Sequence, residues 1–319
     1  MAAKYFRNPH YEQVARQTLD FMIRELSDKS GAMIASLSAL DKKGVEGGYY
    51  LWRPELLSRL LTSRELKAVR QVWGMMHAPS LQAGHLPVQS LSYAEAAKKI
   101  GMTASEVKRL MQSVRQKLLK AQSGRSLPRD TKVLAAWNGL ALRSFSLAGQ
   151  LPGGKKYRQV AQRIRDYIVK RLWRGNSLAR SWVGSKPLGT AGLQDYAQVS
   201  SGLYLWAKLY APGDKKLARK IARRGWQLFY SKQGWKLATD MVPGFAAAEP
   251  LISDRALPSP SASLIRVSLQ LAKDTRDKRL KNMARSALNV ADQTLASDPW
   301  WFATHIRTIY ELQVFGKLL

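Results

Sequence analysis

The chain reads as all-α, an incomplete (α/α) toroid of antiparallel helical hairpins that carries a helical insertion. Three observations predict this fold. Amphipathic segments recur at a spacing of roughly sixty residues over the C-terminal part. Between them lie segments that are apolar on most sides. Short turns lead from the second kind to the first, and long connections lead back.

The amphipathic segments are HYEQVARQTLDFMIREL (10–26), KYRQVAQRIRDYIVKRLW (156–173), KLARKIARRGWQLFYSK (216–232) and RLKNMARSALNVADQTLAS (279–297). Val14, Ala15, Leu19, Met22 and Ile23 fall on one face of the first; Val160, Ala161, Ile164, Tyr167 and Ile168 do so in the second. Apolar residues at three- and four-residue steps, with Arg and Lys between, describe helices with one wet side. These are the predicted outer helices.

The intervening segments are VLAAWNGLALRSFSLAGQ (133–150), LQDYAQVSSGLYLWAKLY (193–210), SPSASLIRVSLQLAKDT (259–275) and WWFATHIRTIYELQV (300–314). Rich in Ala, Ser and Gly, they suit burial among close neighbours and are the predicted inner helices. GQLPGGKK, APGD and KDTRDK punctuate the inner-to-outer turns with Gly, Pro and Asp. The returns, such as 174–192 and 232–258, are long enough to carry irregular hairpins or function. That wiring gathers the long loops at one end, where a pocket forms. A plain solenoid fits the same repeat, and closure is not encoded in it.

Residues 53–127 break the rhythm and are assigned to the insertion; 1–52 hold the first outer helix and a rim hairpin, and 128–319 the repeated hairpins. Within the insertion Pro54 opens one helix, and Thr103 followed by Glu106 forms a capping box. SYAEAAKKIGMTASEVKRL is superficially like a helix-turn-helix, but a packed helical excursion is the favoured reading.

Composition narrows the partners. The 319 residues include ten Trp and twelve Tyr, which argues against disorder. With no cysteine, disulfides and thiolate metal sites are excluded within this chain. His10, His77, His85 and His305 lack metal-ligand spacing, so neither metal nor cofactor is expected. No apolar run approaches the roughly 20 residues of a membrane span. The N-terminal MAAKYFRNPHYEQ has no uninterrupted apolar stretch of the secretory kind, and the expected location is the cytoplasm. Lys and Arg number 52 against 22 Asp and Glu, a formal charge of +30. Such a field favours an anionic surface or polyanion, although the charges are spread along the chain as on solvated helix faces.

Four phrases, EGGYYLWRPELL (46–57), RDTKVLAAWNGLALRSFSLAG (129–149), LQDYAQVSSGLYLW (193–206) and ALPSPSASLIRVSLQLA (256–272), together resemble one family in order and spacing. It is the thioredoxin domain-containing protein family that includes spermatogenesis-associated protein 20, and the similarity is to its helical region. The resemblance implies a six-hairpin, glycosidase-like (α/α)6 barrel related in fold to N-acylglucosamine 2-epimerases. It also implies a preceding thioredoxin-like domain, yet this chain has no Cys pair and no H-F-E-K-M-L-Y-D stretch of the early barrel. Four inner helices are counted where a closed barrel needs six. Two arrangements are expected: a partner chain supplies the missing helices or thioredoxin domain, or the chain is an open fragment with an arrangement of its own.

The candidate site residues sit where the long loops enter inner helices. Asp130 and Asp195 are the candidate catalytic acids, with Asp254 a further carboxylate, because acid–base work needs two facing carboxyl groups. Trp52, Arg129, Trp137, Asn138, Tyr196 and Ser259 are candidate substrate contacts: aromatic rings to stack on a sugar, polar groups to bond its hydroxyls. The competing roles are plain: Asp130 as an N-cap, Asp195 as a cap or a partner of Arg180, Trp137 as core, Ser259 as a cap. Pro260-Ser261 replaces the family's Gly-Asn pair, which reads as erosion of a site. Two functions follow as expectations. One is a carbohydrate-active-type toroid that binds or processes a sugar or sugar derivative. The other is a non-catalytic basic scaffold docked on an acidic partner.

Overall fold

The computed structural model describes residues 2–75, 77–79, 81–240, 248–289, 295–296 and 298–315. The first helices are α1 (Ala2–Tyr5), α2 (Pro9–Phe21), α3 (Pro54–Leu60), α4 (Ser63–Val72), α5 (Tyr93–Ile100) and α6 (Ala104–Gln122). Then come α7 (Ala135–Ala148), α8 (Lys155–Tyr167), α9 (Leu193–Leu209) and α10 (Lys215–Phe229). Last are α11 (Pro260–Thr275), α12 (Lys278–Asn289) and α13 (Ala303–Phe315). The chain forms two compact units, one of residues up to Ala35 and from Thr131 onward, the other Ser36–Asp130.

In the first unit the helices follow the inner–outer wiring of a partial (α/α)6 toroid. α7 packs on α8 and α9, α9 on α10 and α11, and α11 on α12 and α13. The inner helix α9 buries nearly every side chain from Leu193 to Ala207, whereas the outer helices bury one stripe each. In α8 the stripe is Tyr157, Val160, Ala161, Ile164 and Tyr167; in α10 it is Ala218, Ile221, Ala222, Gly225, Trp226 and Phe229. Their other sides carry the Lys and Arg that the sequence pattern placed in solvent. Part of that charge is paired, as Lys215 meets Asp274 at 2.6 Å and Arg223 meets Asp277 at 2.5 Å. The predicted outer helix 279–297 is seen as α12; residues 290–294 and 297 lie outside the described ones, as do 241–247 of the long return.

Two glycines set the closest helix approach. A Cβ on Gly139 of α7 would strike the Gln198–Val199 backbone of α9, and one on Gly202 would strike the Gly139 carbonyl. The contact is backbone to backbone, so no side chain larger than hydrogen fits. α2 and α8 also share an ending: each closes in one turn of π-helix, with Ser27 N–H bonded to Met22 and Trp173 N–H to Ile168. One prediction for α2 is corrected. Of its expected buried face only Leu19 is fully buried, while Met22 and Ile23 pack partly and Val14 and Ala15 are exposed. Among the described residues the first turns of α2 meet α1 and the Pro152 carbonyl, and Val14 and Ala15 stay exposed there.

The return 174–192 contains an antiparallel hairpin, Ala179–Val183 with Lys186–Thr190, flanked by Val133–Leu134. It leads the chain from α8 into the start of α9.

The second unit stands on its own core, Leu57, Val69, Val72, Trp73, Ala96, Val107, Met111, Val114 and Leu118 among its members. α4, α5 and α6 each begin with a capping box, respectively Thr62 with Glu65, Ser92 with Glu95 and Thr103 with Glu106. Gly101, at φ 66°, ends α5 in the left-handed conformation that glycine adopts without a Cβ penalty. Glu65 is buried, a position that by itself pushes its carboxyl up. Bonds from Lys117 (2.7 Å), the Thr62 N–H and Ser113 more than offset this and lower its pKa to about 2. Arg125 donates to the carbonyls of Tyr49 and Leu51, both at 2.9 Å, and lies 4.0 Å over the Trp52 ring. Ser36 and Leu37 pair antiparallel with Asp130 and Arg129, so this unit is entered and left on adjacent strands.

Candidate functional site

The RDxKxLxxWNGL phrase resolves into individual jobs. Asn138 is fully buried on α7; its Oδ1 accepts the Met33 N–H at 2.8 Å, and its Nδ2 donates to the carbonyls of Met33 and Leu134, both at 2.9 Å. It thereby fixes the segment after α2 to the start of α7. Gly139 admits α9. Trp137, between Leu134 and the helix interior, is 43% exposed.

Asp195 is buried and shared between two helix starts. Its Oδ2 accepts the Gly192 N–H at 2.9 Å, capping α9, and its Oδ1 accepts the Ala136 N–H of α7 at 3.0 Å. Of the alternatives for Asp195, the cap is realised; Arg180 acts on it only through its field. Burial raises its pKa, against the pull of those two N–H bonds. Asp254 repeats the pattern one pair of helices later. It accepts from Ser259 N–H (2.6 Å), at the α11 N-cap, and from the N–H (2.8 Å) and hydroxyl (2.6 Å) of Thr304 in α13. Each carboxylate satisfies orphan N–H groups of two neighbouring helices and faces their positive dipole ends. The shared caps place the starts of α7 and α9 at one end, and those of α11 and α13 likewise.

Tyr196 is buried, and its hydroxyl accepts the Leu178 N–H at 3.1 Å. Ser259 caps α11, accepting from Ala262 N–H and donating to the Ile252 carbonyl at 2.6 Å. Beside it Ser261 lies 3.2 Å from His305 Nε2. His305 is fully buried, and desolvation, opposed by Asp254, lowers its pKa to about 4, so it is neutral near pH 7. Trp52, Arg129 and Asp130 belong to the second unit: Trp52 in its core, Arg129 and Asp130 in its closing strand pair. Asp130 is not the N-cap of α7, a position held by Leu134. Asn138, Asp195, Tyr196 and Ser259 do not line the cavity described next; their polar atoms are spent on backbone.

That cavity, of about 260 Å³, opens on the inner wall of the first unit, lined by residues from the first to the third turns of four inner helices. Arg143 comes from α7, Gln198 and Ser201 from α9, Ser263, Arg266 and Gln270 from α11, and Thr304 and Arg307 from α13. Leu140, Pro258 and Val267 complete it. Glu311 chelates Arg266 at 2.7 and 2.9 Å and takes Arg307 at 3.0 Å. Arg143 donates to the Ser201 hydroxyl at 3.0 Å, and no carboxylate among the described residues pairs with it. Desolvation lowers its pKa, with Arg266 and Arg307 adding to the effect and Glu311 opposing it. None of these lining residues was singled out by sequence. The available signal was an Arg or Gln in the first half to middle of each of four successive inner helices, such as Arg143 among the apolar residues of α7. Among the described residues no cluster of His, Asp and Glu is arranged to hold a metal, and no helix is long and apolar enough to cross a membrane.

A helical-hairpin toroid with a polar inner-wall cavity is the class that this fold defines. Its homologues are spermatogenesis-associated protein 20 of human, 25% identical over 228 residues, and of rat, 27% identical over 230 residues. Each alignment covers 60% of this chain and 29% of the relative, so the chain spans under a third of those proteins. Among solved structures, cellobiose 2-epimerase from Bacillus thermoamylovorans B4167 is similar with a TM-score of 0.42 and 8% identity. That likeness covers 88% of this chain and 71% of the epimerase. No family model matches the chain.

Proposed function

We propose that the first unit is a carbohydrate-binding toroid that takes a sugar or sugar derivative in the inner-wall cavity. The observation that carries this reading is the lining itself. Hydroxyls of Ser201, Ser263 and Thr304, amides of Gln198 and Gln270, and three guanidiniums converge on one concave space beside Leu140 and Val267. A polyhydroxylated ring offers donors and acceptors on its rim and C–H faces between, and such a mixed wall matches both. The volume lies near the small end of ligand pockets, roughly 300–1,000 Å³, which suits one ring rather than a chain of them. Binding is the proposal, with Asp195 positioning the helices rather than transferring protons.

The test is a thermal-shift panel of neutral and charged monosaccharides, repeated with Gln198→Ala and Ser263→Ala. At about 100 times Kd, a ligand adds about 2.7 kcal/mol, a rise of several degrees. Both substitutions are expected to shrink it. A panel with no shift for any sugar sinks the reading.

A second reading is favoured by a different observation. Tyr11 and Val14 of α2 and Ile306 and Tyr310 of α13 are exposed, with Tyr310 at 60%. We infer that further helices, contributed by another polypeptide or another part of a longer one, cover these faces. The basic outer helices would then face an acidic surface. Sedimentation of the chain mixed with polyanions at rising salt separates that role from the pocket.

A further inference from the structure

We propose that the inner-wall cavity selects an anionic ligand, a monosaccharide bearing a carboxylate or a phosphate, with Arg143 gripping the anionic group. This rests on the carbohydrate reading above and deepens it.

The argument begins with accounting for charge. Three arginines line the cavity, and Glu311 answers two of them, Arg266 and Arg307. Arg143 is left with one neutral hydroxyl, that of Ser201. A guanidinium cannot shed its proton in a protein and carries five donors, so a mostly buried one without a counter-ion is costly. Natural structures tolerate such a cost where the counter-ion is the ligand. Glu311, the carboxylate whose field reaches Arg143, is held by Arg266 and Arg307, and Asp195 and Asp254 are taken up by the starts of α7, α9, α11 and α13.

The rest of the lining suits the other half of such a ligand. Gln198 is bonded to Ser263 across α9 and α11 at 3.3 Å, a long bond that a ring hydroxyl can replace. Gln270 adds an amide, and the Thr304 hydroxyl, which donates to Asp254, keeps its oxygen free to accept. The planar fork of Arg143 matches a carboxylate or phosphate bidentately, which Lys cannot do.

The experiment is calorimetric titration of the full chain with D-glucose, D-glucuronate, D-glucose 6-phosphate and inorganic phosphate, for the wild type, Arg143→Gln and Arg143→Lys. We expect glucuronate or glucose 6-phosphate to bind at least tenfold more tightly than glucose. Arg143→Gln is expected to remove that preference and Arg143→Lys to keep part of it. The two charged sugars together tell whether the group gripped is carboxylate or phosphate. Equal affinity for glucose and both charged sugars overturns the proposal and leaves the carbohydrate reading standing. Binding of phosphate through Arg143 with no sugar preference upholds the anion site and overturns the carbohydrate reading. No binding of any probe overturns both. Retention of charge preference in Arg143→Gln overturns the role of Arg143. Should that variant fail to fold, the wild-type preference for charged over neutral sugar decides the matter.

Discussion

Asn138 treats Met33 as a paired strand would, taking its N–H at 2.8 Å and giving back to its carbonyl at 2.9 Å. One side chain thus replaces two ladder bonds and ties a loop to a buried helix start. Asn138→Ala leaves the buried N–H and carbonyl of Met33 unsatisfied and is expected to cost about 2–4 kcal/mol. Asn138→Asp keeps the acceptor but turns the donor into an oxygen facing two carbonyls, and should cost more. Urea unfolding followed by near-ultraviolet circular dichroism gives the order; an Asp variant as stable as wild type contradicts the assignment.

Gly139 and Gly202 invert the ordinary propensity rule. A helical Gly→Ala change normally stabilises by about 1 kcal/mol. Here each new methyl meets the backbone of the facing helix, so Gly139→Ala and Gly202→Ala are expected to destabilise, by about 2 kcal/mol or more. A rise in melting temperature for either would show that α7 and α9 are not in backbone contact.

Asp195 and Asp254 act on helices in pairs. Asp195→Ala uncaps α9 and strips a partner from α7, an expected loss of about 2–3 kcal/mol. Ligand affinity measured well below the transition should fall modestly, because the lining residues stay in place. An activity or affinity lost completely while stability is unchanged would instead give Asp195 a direct chemical role.

His305 makes stability depend on pH in a defined window. Its folded pKa is about 4 against 6.5 in the unfolded chain, so the unfolded state takes up the proton first. The sign follows: the folded state is unaffected above about pH 6.5 and loses ground as pH falls from there towards 4. His305→Phe removes the titration, and its stability should change less than that of the wild type between pH 7 and 4.5. Equal slopes for the two proteins would place the titrating group elsewhere.

Much of the fold was legible because burial imposes a period. The stripes of α8 and α10 appear in the order of their apolar residues, and the Gly- and Pro-bearing turns mark which helices are joined tightly. The first turns of α2 misled for the same reason. Val14 has the periodicity of a covered residue, but periodicity reports a face and not what covers it. The site was harder to read. Polar residues at the starts of inner helices, Asn138 and Asp195 above all, invite a ligand contact, yet backbone N–H and carbonyl groups there claim them first. Arg143 was passed over because a helix that is apolar on most sides is judged by its majority. Its isolation among Leu and Ala was the informative fact, and only the alignment of Arg143, Gln198, Arg266 and Arg307 across four helices makes it visible.

The pairing of Ser36 with Asp130 has a topological consequence. Opposed residues in such a pair sit about 5 Å apart, so ninety-odd residues depart from the chain and come back to nearly the same point. To the hairpin repeats this excursion is equivalent to a tight turn. It can grow, shrink or be exchanged for a foreign module with both ends already at grafting distance. Joining Ala35 to Thr131 through a short Gly-Ser bridge would excise it and leave the register of every inner helix untouched.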